Sequence, residues 1–392
     1  MIDSGRLEQA LETLATIQPE GGNEAEDVAL ARKTAAAALE QLIRFNEAID
    51  QYTLAREYYG ELGDDEAASE CNVRCANLKI RTMQLRDAQF ICSKELDRAR
   101  KMGWRTVEAY ALQAKAEAHY RMGQNREAVN DLLASVEILS DLGREDEIDR
   151  ISSNIAMVYL ELGCEELAEP FLKRAAPTTD DGANIRKMAR DYMNRSVAAW
   201  LQQDYDLARE MTARAFQLGV ESGNIRIQAS AQTNFGLIYL NAGDYRQAKK
   251  MLLKAWQSAQ SCGDSHMVVG NLTALAITSI FLNEPAQALE YATLSAKCST
   301  EPDDVETLLL EYYLAIIHLA NDNLDLAIAR WAQKPVLPRS VHLQAEVDWM
   351  CKILEHVSSA GFKAEVSVTS AIEKLAASWR AELEALDMIS KQ

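Results

Sequence analysis

The sequence has no apolar run that is long enough to cross a membrane. Its most apolar stretch, residues 308–320, is interrupted by Glu311 and is shorter than the roughly 20 residues that a transmembrane helix needs. Met1 to Gly5 is polar, and no apolar core of a signal peptide follows it. We therefore expect no membrane insertion and no secretory leader.

Cysteine is scarce, and its spacing matches no disulfide framework. The seven cysteines stand at positions 71, 75, 92, 164, 262, 298 and 351. An odd number at irregular spacing argues against a disulfide scaffold and favours a reducing compartment, which we take to be the cytoplasm. Cys71 and Cys75 share one helix face, but no histidine or second cysteine pair accompanies them, so we expect core packing and no metal site.

Positive charge is also in short supply. The chain has 41 Lys and Arg against 59 Asp and Glu, which gives a formal net charge of −18. Nucleic acid and anionic membranes need clustered cations, so neither is an expected partner. The acidity admits a partner with a basic segment, but it also serves solubility alone.

The motifs of common catalytic sites are missing. There is no phosphate-binding loop, no HExxH, no strand-bounded GxGxxG and no nucleophile elbow. The five histidines are far apart in sequence. We therefore expect a protein that is not an enzyme and that uses no cofactor or metal.

What the chain does have is a repeated helical hairpin, seen most clearly at residues 229–263. The pattern predicts one amphipathic helix over 229–241, a turn at Ala242-Gly243-Asp244, and a second helix over 245–261. We call these the A helix and the B helix. One such hairpin cannot bury its own apolar faces and must stack on copies of itself.

The copies recur every 40 residues, and three ladders of small residues mark them. Alanine recurs on the B helix, a small residue stands twelve places earlier on the A helix, and glycine follows the B helix at a position suited to a left-handed C-cap. The glycine ladder breaks once, where Gly182 falls one place early. The ladders are Ala48, Ala88, Ala128, Ala168, Ala208, Ala248, Ala288 and Ala327; Ala36, Ala76, Ala116, Ala156, Ser196, Gly236, Ala276 and Ala315; and Gly63, Gly103, Gly143, Gly223 and Gly263.

At these positions the chain resembles the tetratricopeptide repeat (TPR) family. The small, aromatic and aliphatic pattern of that family is matched by Ala156, Tyr159, Ala168, Leu172 and Ala175. The resemblance covers roughly residues 28–333 and departs from the family in its period, which is 40 residues instead of 34.

Longer units of this kind are similar to those of kinesin light chains, Pins-type adaptors and bacterial regulators such as the maltose-regulon activator. The resemblance implies a binding scaffold and not a catalyst.

The expected architecture is all-α: a right-handed superhelical solenoid of about eight hairpins with capping helices at both ends. Residues 1–27 are assigned to an N-terminal capping helix and linker, residues 28–333 to the solenoid, and residues 334–392 to C-terminal capping helices. The irregular turn at 177–182 is a candidate break or hinge.

The A helices are expected to form the inner wall of the superhelix. Asn154, Asn194 and Asn234 occupy the same inward position in three successive units. In similar repeat proteins an asparagine at this place contacts the backbone of a bound peptide, because its amide both donates and accepts hydrogen bonds. The alternative is that these asparagines bond neighbouring helix backbones.

Two arginines and five aromatic residues complete the predicted groove. Arg150 and Arg190 lie one turn before the asparagines, where they either pair with acidic ligand groups or form salt bridges within the protein. The aromatic residues either anchor a ligand or pack between repeats. They are Tyr110, Tyr120, Trp200, Phe281 and Tyr313.

The sequence thus predicts a scaffold or adaptor that binds an extended peptide or a helix of a partner protein in its groove. The alternative is the ligand-sensing part of a bacterial signalling or transcriptional regulator. A peptide receptor should show its asparagine and arginine rows facing a groove, and a small-ligand sensor should show an aromatic-lined pocket near Trp200 or Phe281.

Overall fold

A computed structural model describes residues 11–12, 24–42, 44–175, 185–201, 204–299, 304–334, 341–359, 374, 377–378 and 381. The described part is all-α and contains seventeen numbered helices. Among these residues, no helix combines the length and apolar character needed to cross a bilayer. The irregular turn at 177–182, including Gly182, most of residues 1–27 and most of the segment beyond residue 359 lie outside this description.

The helices form eight hairpins and one further helix. The odd-numbered helices up to α15 are A helices, and the even-numbered ones are B helices. The first four hairpins are α1 (Glu24–Gln41), α2 (Phe45–Glu61), α3 (Asp65–Arg81), α4 (Leu85–Met102), α5 (Arg105–Arg121), α6 (Asn125–Asp141), α7 (Glu145–Glu161) and α8 (Glu165–Ala175). The second four, with the final helix, are α9 (Ile185–Leu201), α10 (Tyr205–Glu221), α11 (Ile225–Asn241), α12 (Tyr245–Ser261), α13 (Ser265–Phe281), α14 (Pro285–Cys298), α15 (Val305–Ala320), α16 (Leu324–Ala332) and α17 (Val341–Ser359).

Acidic and amide side chains begin many of these helices. The Asp64 carboxylate accepts a hydrogen bond from the backbone N–H of Ala67 at 3.0 Å, which satisfies a donor that the first turn of a helix leaves unpaired. Asn224 does the same for Ile227 at 3.1 Å. This cap starts helix α11 at Ile225, four residues before the start predicted from the sequence.

The glycine ladder serves the turns between hairpins. Gly63, Gly103, Gly143, Gly223 and Gly263 all have positive φ, between 57° and 74°, as the C-cap interpretation predicted. The turns inside the hairpins use the same left-handed conformation. There Gly243 has φ 79°, but Met83, Asn283 and Asp322 adopt φ of 58–60° without being glycine.

Both ladders of small residues lie in the core. All eight members of the alanine ladder on the B helices are 0% exposed, because the paired helices approach each other at these points. Gly236 shows how close the approach is: a Cβ built there would stand 2.5 Å from Leu252 Cδ2. No larger side chain fits between helices α11 and α12 at this position.

The hairpins stack into a solenoid. Each helix from α1 to α15 packs on the next one in sequence, and the A helices from α3 to α5 and from α7 to α15 also pack on their A-helix neighbours. The apolar core therefore runs along the stack as a series of clusters instead of forming one centre. The A helices line its inner side.

Helix α17 does not continue the stack. It packs against the A helices α13 and α15, and its apolar face is buried there: Val347, Met350, Ile353, Leu354 and Val357 are all at most 2% exposed. The helix thus covers part of the inner wall of the last hairpins.

Candidate functional site

A partly enclosed cavity of about 330 Å³ lies on the inner side of the solenoid. We call it the central cavity. Residues of helices α5, α6, α7, α9, α11, α13 and α15 line it, so its wall draws on hairpins three to eight. Its apolar and aromatic lining includes Tyr120, Met157, Val197, Trp200, Leu237 and Val305.

The repeat itself builds one side of this cavity. Met157, Val197 and Leu237 occupy the same place in three successive A helices, 40 residues apart. Because neighbouring A helices lie side by side, these side chains form an apolar stripe. Trp200 lies one turn after Val197 on helix α9 and extends the stripe with an aromatic ring.

A smaller cavity of about 70 Å³ adjoins the central one. Tyr120 and Met157 line both cavities, and these two side chains therefore stand between them. Asn154 and Gln113 supply amide groups to the smaller space. The two cavities together offer a large site next to a small one, and both are mainly apolar.

The charges around the central cavity are largely matched within the protein. The Arg121 guanidinium is 14% exposed and pairs with Glu117 at 3.1 Å. Burial would lower the pKa of Arg121, but the nearby carboxylates of Glu117, Asp264 and Asp304 outweigh it and raise that pKa. Arg121 thus keeps its charge, and three acidic groups of the protein compensate it.

The two aspartates belong to the starts of helices in the last two hairpins. Asp264 caps helix α13 and pairs with Arg226 at 3.0 Å. Asp304 caps helix α15, and the distance from its Oδ1 to His266 Nδ1 is 3.1 Å. The superhelix therefore brings the start of hairpins seven and eight to the end of helix α5 in hairpin three.

Two buried polar atoms of the cavity lining have no hydrogen-bond partner: Trp200 Nε1 and Asn125 Oδ1. Asn125 is 5% exposed. Buried polar atoms are nearly always hydrogen-bonded in folded proteins, but Trp256 Nε1, Ser279 Oγ and His318 Nδ1, outside the cavity, also lack a partner. Among the described residues, no group of three or more His, Cys, Asp or Glu side chains is arranged to hold a metal ion.

The three predicted asparagines have three different surroundings. Asn154 is exposed and lines the smaller cavity. Asn194 is 6% exposed and donates from Nδ2 to the backbone oxygen of Ser153 at 3.2 Å, which is the bond to a neighbouring helix that the alternative interpretation described. Asn234 is half-buried and lines the central cavity. The row is therefore not one uniform ladder of ligand contacts.

Of the two predicted arginines, Arg150 does not line either cavity. Arg150 is half-exposed, and its Nη2 lies 3.8 Å from Glu147 Oε2, which is the salt bridge that the alternative interpretation described. The Arg190 side chain lies outside the described residues. Tyr110 is engaged within the protein: it donates to Glu147 at 3.2 Å and accepts from Arg144 at 3.0 Å.

The remaining two aromatic residues lie under helix α17. Phe281 stacks on Tyr245 with ring centroids 4.7 Å apart and meets Trp349 edge-on at 5.6 Å. Tyr313 is 2% exposed and donates a hydrogen bond to Glu346 of α17. Tyr313 therefore belongs to the core and offers no surface to a ligand, because the last helix occupies that part of the inner wall.

We call this second region the covered face, defined by Asn241, Phe281, Asn283 and Tyr313 beneath α17. Trp349 Nε1 donates to Asn241 Oδ1 at 3.2 Å, and His356 Nε2 lies 3.1 Å from Asn283 Oδ1. Its polar groups therefore find partners on helix α17.

Sequence reasoning named Tyr120, Trp200 and Asn234 but missed most of the cavity. Met157, Val197 and Leu237 carry a readable signal, since they share one inward position at the 40-residue spacing. Arg121, His266 and Val305 carry none, because they meet only through the curvature of the whole stack. Asn125 stands at the start of a B helix, a place that the inward pattern of the A helices does not include.

Residues 229–261 match a sequence model of the tetratricopeptide repeat family. These residues span most of helix α11 and all of helix α12, the hairpin on which the repeat is clearest. A comparison with curated protein sequences gave no match.

The whole fold is similar to solved structures of low sequence identity. A signal-transduction ATPase with numerous domains and a TPR sensor, from Pyrococcus horikoshii, aligns over 95% of this chain and 55% of its own with 16% identity and a TM-score of 0.54. NprR in complex with its cognate peptide NprX aligns over 91% of this chain and 99% of its own, with 15% identity and a TM-score of 0.52. The apo quorum sensor NprR from B. thuringiensis aligns over 92% and 99%, with 16% identity and a TM-score of 0.51.

The chain spans about half the length of the first of these proteins. Together with the matched hairpin and the buried ladders, these likenesses identify the fold as a tetratricopeptide-repeat solenoid. The resemblance to kinesin light chains and the other 40-residue subtypes stays a prediction.

Proposed function

We propose that this protein is a non-catalytic, cytoplasmic regulatory scaffold that binds a peptide segment of a partner protein in the central cavity. The observation that carries the proposal is the cavity itself: about 330 Å³, built by the A helices and lined mainly by apolar and aromatic side chains. Ligand sites of proteins have this size and this balance of apolar walls with a few polar groups.

The lining residues suit a peptide. Tyr120 and Trp200 offer aromatic surface for an apolar side chain, as anchors of protein interfaces do. Asn234 lies in the same wall and carries the donor and acceptor that a peptide backbone needs. The adjoining cavity of about 70 Å³ with Asn154 has room for a neighbouring small group.

The charge of the protein bears on the charge of its partner. The net charge of −18 favours a partner with a basic segment outside the cavity, through long-range attraction. The similarity of fold to NprR, whose solved complex contains the peptide NprX, supports a peptide as the ligand. At 15% identity it supports nothing about the peptide's sequence.

A second candidate function is the sensing of a small molecule within a larger signalling protein. The meeting of Tyr120 and Trp200 in one partly enclosed cavity is the arrangement expected of such a sensor. The fold shared with the TPR sensor of the Pyrococcus ATPase supports this candidate. The two candidates use the same cavity and differ in what fills it.

The experiment that tests the proposal is selection of a displayed library of random heptapeptides on the wild-type protein. Enriched peptides are then synthesised, and their dissociation constants are measured by fluorescence anisotropy. We expect Trp200→Ala to weaken their binding by about tenfold or more, since a buried aromatic anchor commonly supplies that much.

The matched control is Phe90→Ala, which removes an aromatic ring that is 71% exposed and lies on helix α4, outside the cavity. This variant should bind the peptides as the wild type does. The peptide proposal fails if no sequence is enriched, or if Trp200→Ala binds the enriched peptides as tightly as the wild type. In the first case the small-molecule candidate takes its place.

A further inference from the structure

The starts of helices α13 and α15 carry two aspartates that are buried, although both residues stand at helix ends. Asp264 is 3% exposed and Asp304 is 0% exposed. The residues that directly precede the A helix in other hairpins are exposed or half-buried: Asp64, Trp104, Arg144 and Asn224. The local fold of the repeat thus leaves this place open, and Arg226 of hairpin six, which pairs with Asp264, accounts for only part of the cover in the last two hairpins.

The turn inside hairpin three is covered in the same way. Gly123 is buried, whereas Gly163 and Gly243, at the same place in later hairpins, are exposed. The side chain of Arg121, which ends helix α5 beside this turn, is only 14% exposed. Arg121 and Gly123 line the central cavity together with His266, so the covered turn and the covered helix starts belong to two walls of one space.

Opposite charges link these two walls. Burial works against the charge of Arg121, but the carboxylates of Glu117, Asp264 and Asp304 raise its pKa. Burial in turn raises the pKa of Asp264, but the charges of Arg226 and Arg121 outweigh it, so that the pKa of this carboxyl is lowered. The attraction between Arg121 and Asp264 is therefore mutual, and it acts between hairpin three and hairpin seven.

Packing of helices contributes little to this approach. In the described part of the chain, no extensive packing joins a helix of hairpin three to a helix of hairpin seven or eight. In a solenoid each unit contacts its neighbours alone. The spacing of units that are four or five places apart then depends on many small rotations, unless a direct contact between side chains fixes it.

We propose that Arg121 forms an electrostatic clasp with Asp264 and Asp304 that closes the superhelix across the central cavity and fixes the distance between its two walls. Arg121 is thus a positioning residue of the cavity. Without its charge, Glu117 on one wall would stand against the two aspartates on the other, and repulsion would replace attraction. The inference concerns the shape of the solenoid and holds whichever ligand the cavity takes.

The test measures the distance across the cavity by double electron–electron resonance. Nitroxide labels are attached at Glu127 of α6 and Glu290 of α14, both of which are exposed and lie outside the cavity lining. A noncanonical amino acid carries each label, so the native cysteines stay unmodified. We expect Arg121→Gln to lengthen the mean distance by more than about 2 Å, the scale at which a rearrangement exceeds local adjustment, and to broaden its distribution.

The chain offers a matched control at the same place in the repeat. Arg81 ends helix α3 as Arg121 ends helix α5, and its guanidinium lies 6.0 Å from the ring centroid of Phe45. Arg81→Gln should leave the label distance unchanged. Arg121→Lys keeps a cation and should stay near the wild-type distance. A purely local role of Arg121 in hairpin three would leave the distance unchanged in Arg121→Gln as well.

A second variant tests the clasp from the other wall. Asp264→Asn combined with Asp304→Asn removes both charges, while the asparagines still cap their helices, and it should lengthen the distance as Arg121→Gln does. Circular dichroism establishes that each variant retains its helix content, and if Arg121→Gln does not, the asparagine variant alone decides. The inference is overturned if either folded variant keeps the wild-type distance, or if Arg81→Gln lengthens the distance as much as Arg121→Gln does.

Discussion

The central cavity and the covered face are built from the same kind of surface. Each is the inner wall of stacked A helices, and each carries aromatic residues: Tyr120 and Trp200 in the cavity, Phe281 and Tyr313 in the covered face. They differ in that helix α17 lies on the covered face, where it packs against α13 and α15, whereas the central cavity is open to a ligand. The types of residue therefore do not decide which part of a repeat surface is available to a ligand.

The two regions also differ in how their polar groups are satisfied. Under α17, Asn241 and Tyr313 have hydrogen-bond partners on that helix. In the cavity, Trp200 Nε1 and Asn125 Oδ1 have none. Helix α17 therefore supplies its part of the inner wall with hydrogen-bond partners that these two atoms lack.

The largest expected effect tests whether the covered face is core. Leu354 of α17 is 0% exposed, and Leu354→Ala should lower the free energy of unfolding by about 2–5 kcal/mol because it leaves a cavity in a packed region. Urea denaturation measures the change. Leu326→Ala, at a position 53% exposed, is the control and should cost less than about 0.5 kcal/mol. Equal midpoints for both variants would mean that α17 is not part of the core.

The next effect compares added volume in the core of a hairpin with added volume in the central cavity. Ala276 on helix α13 is 0% exposed, and Ala276→Leu should cost about 1–3 kcal/mol through overpacking. Val197→Phe places its extra atoms in the central cavity and should change stability by less than about 0.5 kcal/mol. It should also weaken binding of the selected peptides, since the space is filled. A large loss of stability in Val197→Phe would contradict the existence of the cavity.

A smaller effect concerns the bond that ties α17 to helix α11. Trp349→Phe removes the donor to Asn241 but keeps a ring against Phe281. The expected cost is about 0.5–1.5 kcal/mol, the net value of one hydrogen bond. A double-mutant cycle with Asn241→Ala isolates the pair. Full additivity of the two substitutions would show that the bond contributes nothing.

The smallest effect is a pH dependence in the last hairpin, on which the covered face also draws. Burial, with a further contribution from Arg330, lowers the pKa of His318 on helix α15 below its ordinary value of 6.5. The unfolded chain therefore binds a proton at higher pH than the folded one, so stability is complete above pH 6.5 and falls as the pH drops through the lowered pKa. His318→Phe should remove this part of the decline. Urea denaturation between about pH 7 and 5 measures the difference, and identical slopes for both proteins would refute it.

The sequence was sufficient to predict the stack, because each unit repeats the same local packing. Ala248 and Gly236 lie in the core as their ladders predicted, and Gly143 adopts the left-handed conformation expected of it. Tyr120, Trp200 and Asn234 were predicted to face inward and do line one cavity.

The lining of the central cavity and the burial of Tyr313 could not be predicted, because no single repeat contains the residues that meet there. Arg121 and His266 line one cavity because small rotations between hairpins add up over the stack. Tyr313 was expected to face a groove and is buried instead, since α17 returns to the inner wall after the repeats end. Neither the accumulated rotation between hairpins nor the return of α17 to the inner wall produces a periodic pattern in the sequence.

The walls of the central cavity come from hairpins three to eight, and this has a consequence for how the protein can change. A solenoid tolerates the gain or loss of a whole unit, because every interface between neighbours is equivalent. Removal of hairpin five or six would keep the fold but would turn His266 and Val305 away from Arg121. The number of units between hairpins three and eight is thus constrained by the site and not by folding, and a duplication there should abolish ligand binding while leaving a stable protein.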